Sequence, residues 1–558
     1  MNFITNLWEN NRMVFFLIVV LIIVTPFLVF YLNKAKKEHP KGLIAAALSN
    51  MGERFGYYIM NAVLVLFICS KFGINDSVSG VMFAVFYFLI YVLSLPGGII
   101  ADRSQNYKKT IICGLIVMAL GYIILSIPVF GMGASGSMTF ALVLTMLALI
   151  LIACGNGLFK GNLQAIVGQL YDDFEAEAAK KGPEALAEAK SKRDSGFQIF
   201  YVFINIGGVV APFVAPLIRK WYLQTKSLVY NADLPRLCHK FNQGTMEGND
   251  MANLMSISNV QESGLADFSA NYLQVYNTGV HISFIASVCA MLLSLCIFLA
   301  VKNRLPNPVK KEKSAVQDYT AEERQSMAKD IKQRMMALYA VLGVAVFFWF
   351  SFHQNAQSLS IFARDFVDTS AIAPEILQCI NPFFVIVLTP IIMWIFAAIT
   401  RKKGKDVSTP RKIALGMFIA ACAYIFLIVV ACIHNYPSGD VFKGLEEGVK
   451  ASMKCGPGVL IVTYFFLTVA ELLISPLGLS FVTKIAPRHM VGLCQGLWLT
   501  ATAIGNLFIF LGVTMLNKFP HQWMTWGVFA LFCLLSMAVM LGMLKWLERI
   551  TADKPAEA

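Results

Sequence analysis

Charge is scarce in this chain. Of its 558 residues only 14% are Asp, Glu, Lys or Arg, while 57% are hydrophobic; soluble domains carry about 25% charged residues. That balance excludes a soluble globular protein. Catalytic and metal motifs are missing too: there is no HExxH, no GxSxG and no Cys/His cluster, and the seven histidines are scattered singly. A membrane-embedded enzyme has no nucleophile–base pair or ligand set to build on. No repeated pore loop or ring of like charges points to a channel. Of the twelve cysteines, most lie inside apolar runs as small buried residues, with no metal-type spacing. Cys238 and Cys455 fall in loops assigned to one outer face, where a disulfide is open to them. A cleavable signal peptide carries its positive charge in front and a small-x-small site behind. The first apolar run, Met13 to Leu32, has only Arg12 just before it and "LNKAKKEHPK" just behind, so it reads as an uncleaved helix.

What the chain has in abundance is apolar runs of about 20 residues, each long enough to cross a roughly 30 Å hydrocarbon core. After residues 13–32, spans are predicted at 43–70, 78–101, 110–129, 138–170, 197–218 and 278–301. A basic linker, 302–334, follows, then spans at 335–360, 376–399, 413–433, 457–483, 490–516 and 524–547. The reading is an all-α polytopic membrane protein with an extra N-terminal helix (13–32), a first six-helix bundle (43–301), a cytoplasmic linker and a second six-helix bundle (335–548). The net charge of +13 does not indicate nucleic acid, because the bases gather in short segments between spans. "KAKK", "DRSQNYKK" (102–109), 177–194, 302–334 and "RKKGKDVSTPRK" (401–412) all fall on one side, which the positive-inside rule makes cytoplasmic. The amino terminus is then outside and the carboxyl terminus inside, in a cell membrane of the bacterial inner type. The stretch 172–194, rich in Ala, Glu and Lys, reads as a short surface helix; the outer loop 219–277 shows no usable period. Two bundles joined by an inside linker place a binding site between them near mid-membrane.

Polar residues inside the spans mark where that site lies. A charge at mid-membrane costs roughly 2.5 to 3.5 kcal/mol on insertion scales. Yet "NMGERFGYYIMN" sets Asn50, Glu53, Arg54, Tyr57, Tyr58 and Asn61 at spacings of 0, 3, 4, 7, 8 and 11, one polar face on an apolar helix. Lys160, Asn205, His353, Asn381 and Glu471 sit one to a span in both bundles. Convergence of these groups gives a site with separated charges of both signs, Arg54 and Lys160 against Glu53 and Glu471, suited to a zwitterion such as a short peptide. Tyr57, Tyr58, Tyr91, Trp349 and Trp498 would supply walls with polar tips. Charge alone does not distinguish a peptide from an amino acid or a small anion.

The motifs carry a resemblance. "ERFGYY" (53–58) resembles the ExxERFxYY signature of the proton-coupled oligopeptide transporters of the major facilitator superfamily. "GNGLFKGN" is similar to that family's fourth-helix lysine motif, "FYVFINIGG" to its FYxxINxG signature, and "FFWFSFHQ", "INPFFVI" and "ELLISPLGLSFVTKIAP" to its second-bundle motifs. The likeness covers about residues 43–547 and leaves out the 13–32 helix. It implies a major-facilitator fold and alternating-access transport of di- and tripeptides or related zwitterions, driven by a proton gradient with no cofactor, by a monomer in the bilayer. It also implies a pocket lined by Arg54, Tyr57, Tyr58, Tyr91, Lys160 and Asn205 from the first bundle. Trp349, Asn381, Glu471, Ser475 and Trp498 would line it from the second, with Lys160 and Arg54 near the ligand carboxylate and Glu471 near its amino end.

Three positions depart from the family pattern. Asn50 stands where the signature has its first glutamate, Asn61 where many peptide-carrying members have arginine, and His353 where a glutamate usually precedes Gln354. Asn50 cannot titrate. Glu53 adjoins Arg54 and is expected to pair with Lys160, which favours its ionised form. Proton coupling is therefore expected to run through His353 with Glu471, weakened or lost. The alternative is a family member carrying another small solute with little or no coupling.

Overall fold

In lipid a backbone must satisfy its own hydrogen bonds, which leaves the apolar runs only the helix to adopt. The computed structural model describes residues 12–104, 106–129, 135–306, 321–369, 373–403, 407–485 and 491–551. Among these, thirteen helices are long and apolar enough to cross a membrane, and no strand is present apart from two isolated bridges. We name them α1 (Arg12–Glu38), α2 (Gly42–Phe72), α3 (Asp76–Val92), α4 (Tyr107–Ser126), α5 (Ser135–Ala179), α6 (Pro183–Thr225) and α7 (Leu265–Val301). The second series is α8 (Ala321–Phe352), α9 (Ile380–Lys403), α10 (Thr409–Ile433), α11 (Gly458–Ile485), α12 (Val491–Leu507) and α13 (Gln522–Gly542).

Two differences from the sequence reading concern the segments read there as cytoplasmic. Residues 172–194 do not form a separate surface helix: α5 runs on to Ala179 and α6 starts at Pro183, so both spans simply continue past the bilayer. The second half of the linker likewise belongs to α8, while 307–320 lie outside the described residues.

Helices α2 and α4–α7 pack mainly among themselves, as do α8, α10, α11 and α13, and the halves meet along two seams. In one, α3 lies against α12 and its continuation Phe510–Lys518; in the other, α6 lies against α9 and the turn Pro374–Cys379. Helix α1 stands at the periphery, packed mainly on α6.

The outer loops are folded. Helices Leu234–Gln243 and Asp250–Ser258 form a cap on the first half. Arg236 reaches Asp233 at 2.7 Å and Asp250 at 3.2 Å, and Lys240 reaches Asp250 at 2.7 Å. The cap also touches the second half: Asn253 Nδ2 donates to the Leu445 carbonyl at 3.2 Å, and Lys450 lies 3.6 Å from Asp233. Helix α2 ends beneath it at Gly73, in the left-handed region (φ 62°), where a Cβ would come within 2.7 Å of His239 Nδ1. The suggested disulfide is absent: Cys238 and Cys455 are both buried free thiols.

Burial raises the Asp250 carboxyl, but the hydrogen bond from Lys240 and the nearby Arg236 outweigh it and hold the group below the usual carboxylate range. A depressed carboxylate contributes stability above its unfolded pKa of about 3.9 and loses it as pH falls through the folded value. The cap should therefore be firm at neutral pH and loosen only in strong acid. Asp250→Asn should loosen it at pH 7 by about 1 to 3 kcal/mol, read as faster hydrogen exchange across 234–258 with no change in α10.

Candidate functional site

The polar face of α2 points inward as the spacing required. Asn50, Glu53, Arg54, Tyr57 and Asn61 are all buried. Arg54 donates to its neighbour through Nε to Glu53 Oε2 at 2.5 Å and Nη2 to Oε1 at 2.9 Å, a two-point charge-assisted contact. Asn156 Nδ2 adds a third bond to Glu53 Oε1 at 3.0 Å. The expected Glu53–Lys160 pair is not formed; the arginine fork and Asn156 occupy the carboxylate. Tyr57 carries Arg54 on its ring (4.8 Å) and donates to Asn61 Oδ1 at 3.1 Å.

Lys160 is placed by glycine. A Cβ at Gly157 would lie 2.5 Å from the Leu93 carbonyl oxygen, so only glycine lets α5 approach the end of α3 this closely. Lys160, one turn on, then sits over the Tyr91 ring at 4.2 Å. Among the described residues it has no ion pair.

Glu471 on α11 is the counterpart. Its Oε1 accepts from Tyr201 at 2.9 Å and its Oε2 from Asn381 at 2.8 Å, while Asn381 also donates to Thr468 at 3.0 Å. No cation pairs with it among the described residues. Asn205 donates to the Tyr201 carbonyl at 2.9 Å, and Ser475 lies one turn beyond Glu471, half-buried. Across the halves, a Cβ on Gly208 would touch both Tyr58 (3.0 Å) and Pro382 (3.1 Å), which places Tyr58 at the seam near Asn381.

His353 lies where α8 stops. The α-helix gives way to a 3-10 turn, His353–Ala356, before resuming at Ser358–Phe366. The imidazole stacks on Trp349 (5.0 Å, 18°), meets Tyr87 edge-on at 5.2 Å, and hydrogen-bonds Asn506. Tyr91 is 6.3 Å away and Trp498 lies 6.5 Å beyond Trp349. No hydrogen bond joins His353 to Glu471 among the described residues. Tyr87, Asn156, Tyr201 and Asn506 were not singled out from the sequence. Asn156 and Tyr201 lie inside motifs quoted for their neighbours, and Tyr87 is one turn before Tyr91.

A second polar cluster closes the end of the molecule beneath the cap. Asp76 is held in the first turn of α3, whose start is capped by Asn75 accepting from Val78 N–H at 2.9 Å, and it accepts from Arg364 at 2.8 and 3.0 Å and from Lys443 at 2.5 Å. Arg364 also grips Asp365, and Lys443 donates to Asn517 at 3.1 Å. Asp76 belongs to the first half and its partners to the second. A cavity of about 770 Å³ lies among this cluster and the cap helix. Its cations Arg236, Lys240, Arg364, Lys443 and Lys518 already have carboxylate partners, so it offers a ligand no unanswered positive charge.

The POT family model matches residues 108–321 and 307–529. The chain belongs to the POT family. It is similar to the peptide transporter YePEPT of Yersinia enterocolitica, 28% identical over 84% of this chain and 86% of that one. The dipeptide and tripeptide permease B of Salmonella typhimurium is 28% identical over 92% and 96%. Among solved structures, a peptide transporter POT in complex with sulfate matches with a TM-score of 0.64 at 21% identity, covering 92% of this chain and 96% of that one. A POT family transporter in complex with 5-aminolevulinic acid gives 0.63 at 20%, over 92% and 97%. The fold is thus the major-facilitator fold of this family with α1 in addition, in a multi-pass membrane protein.

Breaking a buried pair from one side costs about 3 to 5 kcal/mol, because the other charge is left unanswered. Arg54→Ala should therefore lower the melting temperature in detergent far more than the double change Glu53→Gln, Arg54→Gln. Equal losses from the two variants would mean that the pair carries no such burden.

Proposed function

We propose that this chain is a secondary transporter of di- and tripeptides or closely related small zwitterions, working by alternating access of its two halves as a monomer. One observation carries the reading: among the described residues Lys160 is a cation without a carboxylate on the first half, and Glu471 is a carboxylate without a cation on the second. Opposite charges left unanswered on facing halves suit a ligand that has both, the carboxylate end at Lys160 and the amino end at Glu471. Arg54 does not add a free charge, because Glu53 neutralises it. Tyr57, Tyr58, Asn61, Tyr91 and Asn205 then line the first-half wall, and Trp349, His353, Asn381, Ser475 and Trp498 the second. The names of the Yersinia and Salmonella relatives support peptides as cargo, and the relative bound to 5-aminolevulinic acid supports a second reading, a zwitterion with no peptide bond.

Charge-assisted hydrogen bonds at the two ends contribute about 1.5 to 3 kcal/mol each. Lys160→Ala and Glu471→Ala should each reduce labelled dipeptide counterflow in proteoliposomes by ten- to a hundredfold while leaving folded protein in the membrane. Normal counterflow in both variants would defeat this pocket. Saturable flux of single amino acids or 5-aminolevulinic acid but not of dipeptides would select the second reading.

The driving force is a proton gradient carried through His353, with Glu471 as the ligand-linked carboxylate. Asn50 cannot titrate, and Glu53 is locked by Arg54 and Asn156. An imidazole's ordinary pKa of about 6.5 lets small changes in its surroundings switch its charge near neutral pH. Peptide-driven proton uptake should fall sharply in His353→Gln; coupled flux that survives the change would remove histidine from the path. Coupling absent in the wild type but gained in Asn50→Glu would identify a facilitator.

The positive-inside pattern puts the amino terminus outside and the carboxyl terminus in the cytoplasm of a bacterial inner membrane. Tags on the two termini of intact cells should be reached from opposite sides; equal accessibility would show that the span count is wrong.

A further inference from the structure

Helix α1 has no charged residue between Met13 and Leu32, yet it is not merely an anchor lying in lipid. It runs antiparallel to α6 beside the α6–α9 seam and joins residues of both halves in two apolar clusters. Near its start, Met13 packs with Phe213 of α6 and with Ala373, Ile376 and Cys379 at the entry to α9, with Phe16 and Leu17 alongside. A few turns on, Val24 packs with Val202, Ile206 and Val209 of α6 and Ile386 of α9, with Val20 and Phe27 alongside. Those residues flank Tyr201 and Asn205 on α6, and Asn381 on α9. The opposite seam, between α3 and α12, has no such cover among the described residues.

We infer that α1 is a strap across the α6–α9 seam that holds the two halves together at their outer ends and so biases the transporter toward the state closed on that side. The inference rests on the alternating-access reading given above. In lipid no hydrophobic force drives α1 onto its neighbours; it is held by close van der Waals packing. Each such contact is weak and short in range, and a gap of 0.5 to 1 Å forfeits a quarter to a half of it. Separating the outer ends of α6 and α9 removes Met13, Phe16 and Leu17 from one half or the other. The strap therefore adds to the Asp76–Arg364–Lys443 cluster on the closed side only, and an interaction present in one state shifts the population toward it. No α1 residue reaches Lys160 or Glu471, so ligand affinity within either state should not change.

The test is a distance measurement between spin labels at Lys226→Cys, on the first half, and Ser452→Cys, on the second, with the exposed native cysteines replaced by serine. Three proteins are compared without ligand in lipid: the full chain, a chain lacking residues 2–33, and a full-length chain with Met13→Ala, Phe16→Ala and Leu17→Ala. The ratio of the long-distance (outer-open) to the short-distance population is expected to rise about threefold or more in both variants. If the deleted chain does not fold, the triple variant decides. Folded variants with unchanged distance distributions would overturn the strap and leave α1 a peripheral anchor. Because labels and not substrates are read, that outcome is distinct from a failure of the transport reading, which would show as absent flux in the full chain.

Discussion

Arg54 grips Glu53, its neighbour in sequence, and this contact sets the terms for the rest of the interior. Two charges side by side in the middle of a bilayer-spanning helix are costly unless each answers the other, and Asn156 from α5 then completes the carboxylate. Once that pair is closed, the interior holds Lys160 and Glu471 as charges whose partners must come from elsewhere. Had Glu53 turned to Lys160 instead, Arg54 would be the open cation and the site would be organised around α2. The direction of one fork of hydrogen bonds thus decides which helix carries the cation left without a carboxylate among the described residues.

The two halves are also tied by polar groups at different depths. Tyr201 crosses to Glu471 beside the site, and Asp76 crosses to Arg364 and Lys443 at the outer end. Above them the cap reaches over through Asn253 and Lys450. Bonds between groups drawn from both halves hold only while the halves stay close. The cavity between cap and cluster is charged, but its cations already have carboxylate partners.

Much of this was legible in the sequence. The helix count followed from run length, and the inward face of α2 followed from the 3-4-7-8-11 spacing, because a polar stripe in lipid has one side to face. Pairing was not legible. Glu53 has Arg54 next to it and Lys160 within reach, and residue types alone do not say which wins; the glycine-permitted approach of α5 to α3, which sets Lys160 on Tyr91, is a fact of packing. Asp76, Arg364 and Lys443 drew no notice because charges at span ends are ordinary there. The 219–277 loop showed no usable period because its cap helices are only 10 and 9 residues long, so the apolar face they bury through Leu234, Leu237 and Leu254 does not repeat far enough to stand out. Residues 172–194 read correctly as helical, but composition does not reveal that a helix is continuous with the span before or after it.

The break in α8 divides that span into two rigid rods. The inner rod ends with Trp349, stacked on His353; the outer rod, Ser358–Phe366, ends with Arg364 in the outer cluster. Between them the 3-10 turn replaces α-helical bonding, and the helix loses stiffness at the position where the side chain faces the site. A straight helix would transmit displacement along its whole length. A jointed one lets the outer rod, 9 residues long against 32 for the inner, tilt about the 3-10 turn, so the fastening at Arg364 holds the short arm of the joint.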